Sequence, residues 1–527
     1  DDNDDDNDDD KPVVYNFKLS ELYTDKDSKK IHEYITKAVR DPDNSKIQDK
    51  SCEKLRDYLT SIDNVKKICF FNGIEMICNA MKNHPKKKIV QSEACCTIAT
   101  MIWCHADVSP KIAQLDGINL VISAMKKWMP KCNTNNDMLS QVGCAALKEL
   151  SYNENNKKII DAGGGLQVVL TAMERNPTAI YVQKEGCHFL QNMTTNYSIH
   201  TAIEISKHHV VPMILKALQL SHKIKNKNNN NSKKKKYDIE FQLTVCGLIA
   251  NLASFQDTTV AAVVSNSNVI AIVFDTLNTA NNLHVEQEAI LALEFLATCS
   301  VKNQAMIWHK GGLQAAFNAI ESYPNNKTLL ISSFNLIEEL CQNDTDGKVV
   351  GDIARLNGIQ LLLTTMEKNQ DLVKLQVTGF VIIGFLILEK DDDKMYAPKL
   401  VKIIVSVMKK HNDNDTIQIQ ACDALFELSQ VSSSHEILME SETQQMMLQV
   451  KNRYEDSVSD VNDIFASCKG THTSNNSKGK NTKNNGKSKK SRKCKNARNI
   501  NITTSATNDN NNTIEIEEMN DSDVVYV

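Results

Sequence analysis

Apolar residues return along the chain in triads spaced 0, +3 and +6. Cys144, Leu147 and Leu150 form one triad, and Cys187, Leu190 and Met193 the next. The same spacing recurs at Cys52–Leu55–Tyr58, Cys95–Ile98–Met101, Cys246–Ile249–Leu252 and Cys422–Leu425–Leu428. In three further copies another apolar residue replaces the cysteine: Ile290–Leu293–Leu296, Phe334–Ile337–Leu340 and Phe380–Ile383–Leu386. Zero positions thus fall at 52, 95, 144, 187, 246, 290, 334, 380 and 422, at intervals of 43, 49, 43, 59, 44, 44, 46 and 42. Offsets of three and six are those of the buried stripe of a helix. A free thiol is small and favours burial. Successive cysteines would stand at least a helix diameter apart, beyond metal-ligand reach. The cysteine therefore reads as core packing, neither ligand nor nucleophile.

A second pattern keeps the same period. "NGIEMICNAM" (72–81), "DGINLVISAM" (116–125), "GGLQVVLTAM" (164–173), "GGLQAAFNAI" (311–320) and "NGIQLLLTTM" (357–366) each place Gly eight residues before a final Met or Ile. Weaker copies end at Val39, Leu218, Leu277 and Met408. Short apolar segments such as "NNKKIIDAGG" (155–164) lie between the two patterns. Each unit reads as a short first helix, a glycine turn, a second helix, a polar loop and a third helix. Glycine is expected to allow the sharp reversal between the first two.

Gly (18) and Pro (9) are scarce in the 527 residues, and aromatics are 6%, which favours helices. No CxxC pair occurs among the fifteen cysteines, and no secretory signal is visible, so a reducing, cytoplasmic setting is expected. The longest apolar run, "FVIIGFLIL" (380–388), is too short to cross a bilayer. "GGG" at 163–165 lacks the surroundings of a phosphate loop, "HVEQE" (284–288) lacks the second histidine of a metalloprotease helix, and no GxSxG or HRD motif appears. No enzyme activity, cofactor, small-molecule substrate or metal site is expected.

A repeated three-helix unit of about this length resembles the armadillo repeat. The resemblance spans roughly residues 28–450, and the embedded glycine and third helix favour it over the two-helix HEAT unit. The repeat style is also similar to armadillo repeat-containing protein 6 and to the armadillo region of leucine-rich-repeat kinases, without a kinase signature. What the resemblance implies is an all-α, right-handed α-solenoid of about nine three-helix repeats, working as a protein-interaction scaffold or adaptor. The alternatives are a regulatory region of a larger signalling enzyme, left open by a start without Met, and a nuclear-transport-type adaptor.

Charge divides the chain further. Segment 1–27 opens with "DDNDDDNDDD" and is expected to be disordered, as is the basic, Asn-rich tail 469–527. The solenoid is expected over 28–468, with a disordered Lys/Asn-rich loop at 223–236 and a helical cap near 435–467. In the tail, Lys487, Lys489, Lys490, Arg492, Lys493 and Lys495 form a dense cluster, a candidate for nuclear import or for an acidic surface. It could also fold back onto the repeats. Nucleic acid is not the expected partner, since net charge is only −4.

With the core stripe at 0, +3 and +6, the opposite face of each third helix centres on +1 and +5. Those positions hold the acids Glu53, Asp57, Glu149, Glu339, Asp423 and Glu427, and no Lys or Arg. Importin-α-like armadillo proteins carry Trp at +1 and Asn at +5; here no +1 residue is Trp, and only Asn192 and Asn251 match at +5. The expected site is therefore a mildly acidic concave groove for a basic extended segment of a partner protein, with these eight residues as its contacts.

Overall fold

The computed structural model describes residues 25–129, 137–195, 199–208, 210–214, 216–218, 232–255, 257, 260–261, 267–279, 282–387, 396–453 and 461–470. Every described residue belongs to one compact unit. That unit is an all-α solenoid; among the described residues there is no strand. Its third helices are Ser45–Arg56, Lys88–Cys104, Met138–Leu150, Ile180–Thr194, Ser232–Ser254, Leu283–Cys299, Lys327–Cys341, Val373–Ile387 and Asp415–Leu428. Each packs on the third helix before and after it, so they form one continuous row. Second helices, among them Gly73–Asn83, Gly165–Arg175, Gly312–Ser322 and Ala397–Lys410, pack on the third helices that follow them. Short first helices such as Ile62–Phe70, Glu154–Ala162 and Val301–His309 connect one repeat to the next.

The triads form the core. Every zero and +3 residue is buried, and so is every +6 residue except Tyr58, which is half-buried in the first repeat. The thirteen described cysteines are free thiols, and burial pushes those of Cys52, Cys246 and Cys422 up to about 12. Neutral, buried thiols of this kind pack as small apolar groups. Among the described residues no group of His, Cys, Asp or Glu is placed to hold a metal.

The glycine of the second pattern has a different reason from the expected one. The left-handed backbone falls on the residue before it: Asn72 (φ 60°), Asp116 (φ 69°), Gly164 (φ 76°), Gly311 (φ 94°) and Asn357 (φ 54°). The glycine itself starts the second helix where that helix crosses the first. A Cβ on Gly165 would stand 2.5 Å from Ile160 Cγ2 and 2.9 Å from the Ile160 carbonyl oxygen; on Gly73 it would meet Ile68 Cγ2 at 2.4 Å. Close approach, rather than turn geometry, excludes a side chain there. The two patterns also touch: a Cβ on Gly143, just before Cys144, would lie 2.6 Å from Met125 Sδ, and Gly186 repeats this with Met173 at 2.5 Å.

A further repeated mark lies four residues before the zero position. Gln183 Nε2 donates to the Met173 carbonyl at 2.8 Å and to the Asn176 carbonyl at 3.1 Å. Gln48, Gln91, Gln376 and Gln418 make the equivalent pair of bonds. Each buried amide ties the end of a second helix to the third helix that follows, satisfying carbonyls that a helix terminus leaves open. The first member bonds the Ala38 carbonyl, which sets the register there: Ala38 is the counterpart of Met81, and Val39, the expected end of that copy, is 61% exposed. Leu277 is likewise one residue late, since Thr276 is buried and Leu277 half-buried.

Gln183→Met keeps the volume and loses both bonds. It should destabilise the fourth repeat by about 1–2 kcal/mol, read as a lower urea midpoint; unchanged stability would show that the amide is only filling space.

Of the expected boundaries, residues 1–24, 223–231 and 471–527 lie outside the described residues. Asp25, within the expected acidic segment, caps helix Lys26–Arg40 by accepting from Ser28 N at 2.9 Å. Helix Ser232–Ser254 takes in the lysines at the end of the expected loop, in keeping with the good helix propensity of lysine. Helices His435–Leu438, Ser441–Arg453 and Val461–Gly470 follow the last repeat.

Candidate functional site

On each third helix the stripe opposite the core is lined by positions −6, −2, +1, +5 and +8. Stacked repeats bring these into rows running the length of the solenoid, the extended surface on which repeat proteins bind. The +1 and +5 rows form the floor, mostly half-buried between neighbouring third helices.

The expected contacts are distributed along this floor in different states. Glu53 is half-buried and Asp57 exposed, with Lys54 Nζ 4.0 Å and 2.7 Å away respectively. Glu149 is buried and paired to Lys148 at 2.7 Å. Asn192 Nδ2 donates to Ser151 Oγ at 3.0 Å, and Asn251 Nδ2 donates to Thr195 Oγ1 at 3.0 Å, so both amides are engaged within the row of third helices. Glu339 is half-buried and accepts from Gln342 Nε2 at 3.1 Å. Asp423 and Glu427 are half-buried in the last repeat. The six basic tail residues from Lys487 to Lys495 lie outside the described residues.

Ion pairs divide the face into two parts. In the first five repeats, acids are matched by bases of the same or an adjoining third helix. Arg56 meets Glu93 at 2.6 Å, Lys148 meets Glu185 at 3.0 Å, and Lys184 pairs with Glu240. In the sixth to ninth repeats the rows and their +4 flank hold Glu288, Glu294, Glu338, Glu339, Asp423 and Glu427 against a single base, Lys374. Among the described residues no ion pair involves Glu288, Glu294, Glu338 or Glu427. Their carboxyls respond accordingly. Burial raises Glu288 and Glu427, and pushes Glu294 and Glu338 up to about 7. Glu294 Oε1 accepts from Asn335 Nδ2 at 2.8 Å, while its Oε2 has no hydrogen-bond partner.

Those raised values make stability depend on pH. A carboxyl of ordinary value 4.5 that titrates near 7 when folded binds more protons folded than unfolded between the two. Stability must therefore fall as pH rises through that window. Glu294→Gln with Glu338→Gln should match the wild type at pH 5 and exceed it by about 2–3 kcal/mol at pH 8. Urea unfolding at both pH values checks this, and an equal difference at the two would contradict it.

The sequence places Arg56, Lys148, Glu294 and Glu338 at the flanking +4 position, where bases and acids oppose one another and none is assigned as a contact; nothing in the pattern singles out Lys184. The period contained the signal, since +4 flanks +5, but the partners of Lys184 and Lys148 stand 56 and 37 residues away in sequence, across repeats whose rotation only the structure fixes.

No family model matches the chain, and no curated protein matches it. Solved structures do. A chain from a structure concerning the interaction between cadherin and β-catenin is 11% identical, with TM-score 0.62, covering 86% of this chain and 90% of that one. The crystal structure of an engineered protein is 15% identical, with TM-score 0.59, covering 84% of this chain and 98% of that one. At these identities the likeness establishes an armadillo-like helical-repeat fold. No helix among the described residues is long and apolar enough to cross a membrane.

Proposed function

We propose that the chain is a non-catalytic interaction scaffold whose sixth to ninth repeats hold a basic, extended segment of a partner protein along the third-helix face. One observation carries this reading: acids outnumber bases on that stretch, and Glu288, Glu294, Glu338 and Glu427 are partly desolvated without an ion pair. A lysine or arginine arriving there supplies the missing counter-charge where the effective dielectric is low. The first five repeats offer no such excess, because their charges already neutralise one another.

The likeness in fold to a chain from a cadherin and β-catenin structure supports a protein partner. A transport-type adaptor is the weaker reading, since no +1 residue is Trp and both matching asparagines are engaged between third helices. We read the chain as cytoplasmic, with the cluster Lys487–Lys495 as a candidate for nuclear entry. The repeat style places it near armadillo repeat-containing protein 6 and the armadillo region of leucine-rich-repeat kinases.

The test is affinity capture by the whole chain and by one carrying Glu338→Lys, Glu339→Lys and Glu427→Lys, after circular dichroism shows both folded. A partner retained by the first, lost by the second and bound through a Lys/Arg-rich segment supports the proposal. An unchanged partner set contradicts it.

A further inference from the structure

We infer that the third-helix face of the second to fourth repeats is a second, chemically distinct subsite, one that takes an uncharged extended segment with apolar side chains on both sides of its backbone. The inference rests on the reading that the third-helix face is where partners bind.

Two rims carry it. At −6, three successive repeats present Ile89, Met138 and Tyr181, which are 65%, 49% and 55% exposed. At +8, two of the same repeats present Trp103 and Tyr152, at 62% and 59%. Elsewhere the −6 position is Lys46, Glu240, His284, Thr328, Lys374 or Thr416, and every other described +8 residue is Thr, Ser or Gln. Exposed apolar residues singly need no explanation, but a cluster in register on adjacent repeats marks an interaction surface.

Charge on this stretch selects the occupant. Arg56 is paired with Glu93, Lys148 with Glu149 and Glu185, and Lys184 with Glu240, so the charges between the rims are already engaged in ion pairs. A charged segment would find no counter-charge there; an uncharged one loses nothing. Geometry selects its conformation. The rims stand about 21 Å apart along each helix, fourteen residues at about 1.5 Å each. An amphipathic helix has one apolar stripe and satisfies one rim. An extended chain sends alternate side chains to opposite sides, one set to each rim, and leaves its backbone over the floor between them. Neighbouring repeats lie about 10 Å apart, roughly three residues of extended chain. Apolar residues three apart therefore meet successive repeats on alternating rims.

The probe is a labelled, end-blocked nonapeptide of serine carrying leucine, phenylalanine and leucine at its second, fifth and eighth positions. A nonapeptide of lysine and serine serves as the contrast. Both are titrated by fluorescence anisotropy into the whole chain, into Trp103→Ala with Tyr152→Ala, and into Glu338→Gln with Glu339→Gln. The altered aromatic side chains are exposed, so the fold is retained. The apolar probe should bind the wild type and the glutamine variant alike, and the alanine variant at least tenfold more weakly. The inference is overturned if the apolar probe binds wild type and alanine variant equally, or does not bind. Should the lysine probe bind in that case, and weaken in the glutamine variant, the scaffold reading stands without this subsite. Should only the apolar probe behave as expected, the subsite stands and the basic-segment reading falls.

Discussion

Gly165→Ala should speed amide exchange across Glu154–Ala162 and Gly165–Arg175 by about ten- to a hundredfold, the equivalent of about 1–3 kcal/mol of overpacking. Gly164→Asn, one residue earlier, should leave it near the native rate. The difference follows from what each position requires. Gly165 has ordinary helical backbone, but its Cβ would stand 2.5 Å from the buried Ile160 side chain and 2.9 Å from the Ile160 carbonyl, with Ile122 Cδ1 at 3.4 Å. None of these can withdraw without separating two helices. Gly164 needs the left-handed backbone (φ 76°), which asparagine already adopts at Asn72 and Asn357. A Cβ at Gly164 would meet only the end of the Lys126 side chain, at 3.1 Å. In a stacked array each repeat contacts only its neighbours, so distant repeats should keep their protection. Equal exchange in the two variants would mean that close approach is not what the glycine provides.

Reversing charge on the acidic stretch should have the largest effect on binding. Glu338→Lys, Glu339→Lys and Glu427→Lys together should weaken a lysine-rich segment by at least a hundredfold at low salt. Each reversal replaces an attraction with a repulsion of order 1 kcal/mol or more at an effective dielectric near 20, and the effect should shrink as salt is added. Glu149→Lys should do far less, because Glu149 is buried against Lys148 and already has its counter-charge. Affinity should also rise from pH 6 to pH 8. Glu294 and Glu338 titrate near 7, so both lose their protons, and gain the charge a cation needs, across that interval.

Much of the fold was legible because the core repeats. Cys144, Leu147 and Leu150 are all fully buried, as their offsets required, and the same holds in every later repeat to within a few per cent. The spacing located the second and third helices without reference to any contact. It misplaced the reason for the glycines, because close approach to Ile160 is a tertiary fact, although isoleucine five residues before the glycine at Ile68, Ile112, Ile160, Ile307 and Ile353 was there to be read. The buried glutamines at Gln48, Gln91, Gln183, Gln376 and Gln418 also stood in plain register, but a polar residue at a fixed offset does not announce that it is buried.

The face was legible in direction and not in detail. Helical angle alone put +1 and +5 opposite the core, and most of those residues are half-buried rather than in the core. Which acids retain charge to offer could not be read, because Arg56 and Glu93, or Lys184 and Glu240, come together only through the rotation of one repeat on the next. The rims at −6 and +8 were hidden for a related reason. Their exposure depends on how far each third helix extends past its triad and on what the neighbouring repeat leaves uncovered.

The most direct measurement is an anisotropy titration of the lysine–serine nonapeptide into the whole chain and into the Glu338→Lys, Glu339→Lys, Glu427→Lys variant, at pH 6 and pH 8 in low salt. The account predicts binding to the wild type that tightens with pH, and at least hundredfold weaker binding to the variant. Equal affinity for the two chains, or binding to the wild type that weakens as pH rises, would contradict it.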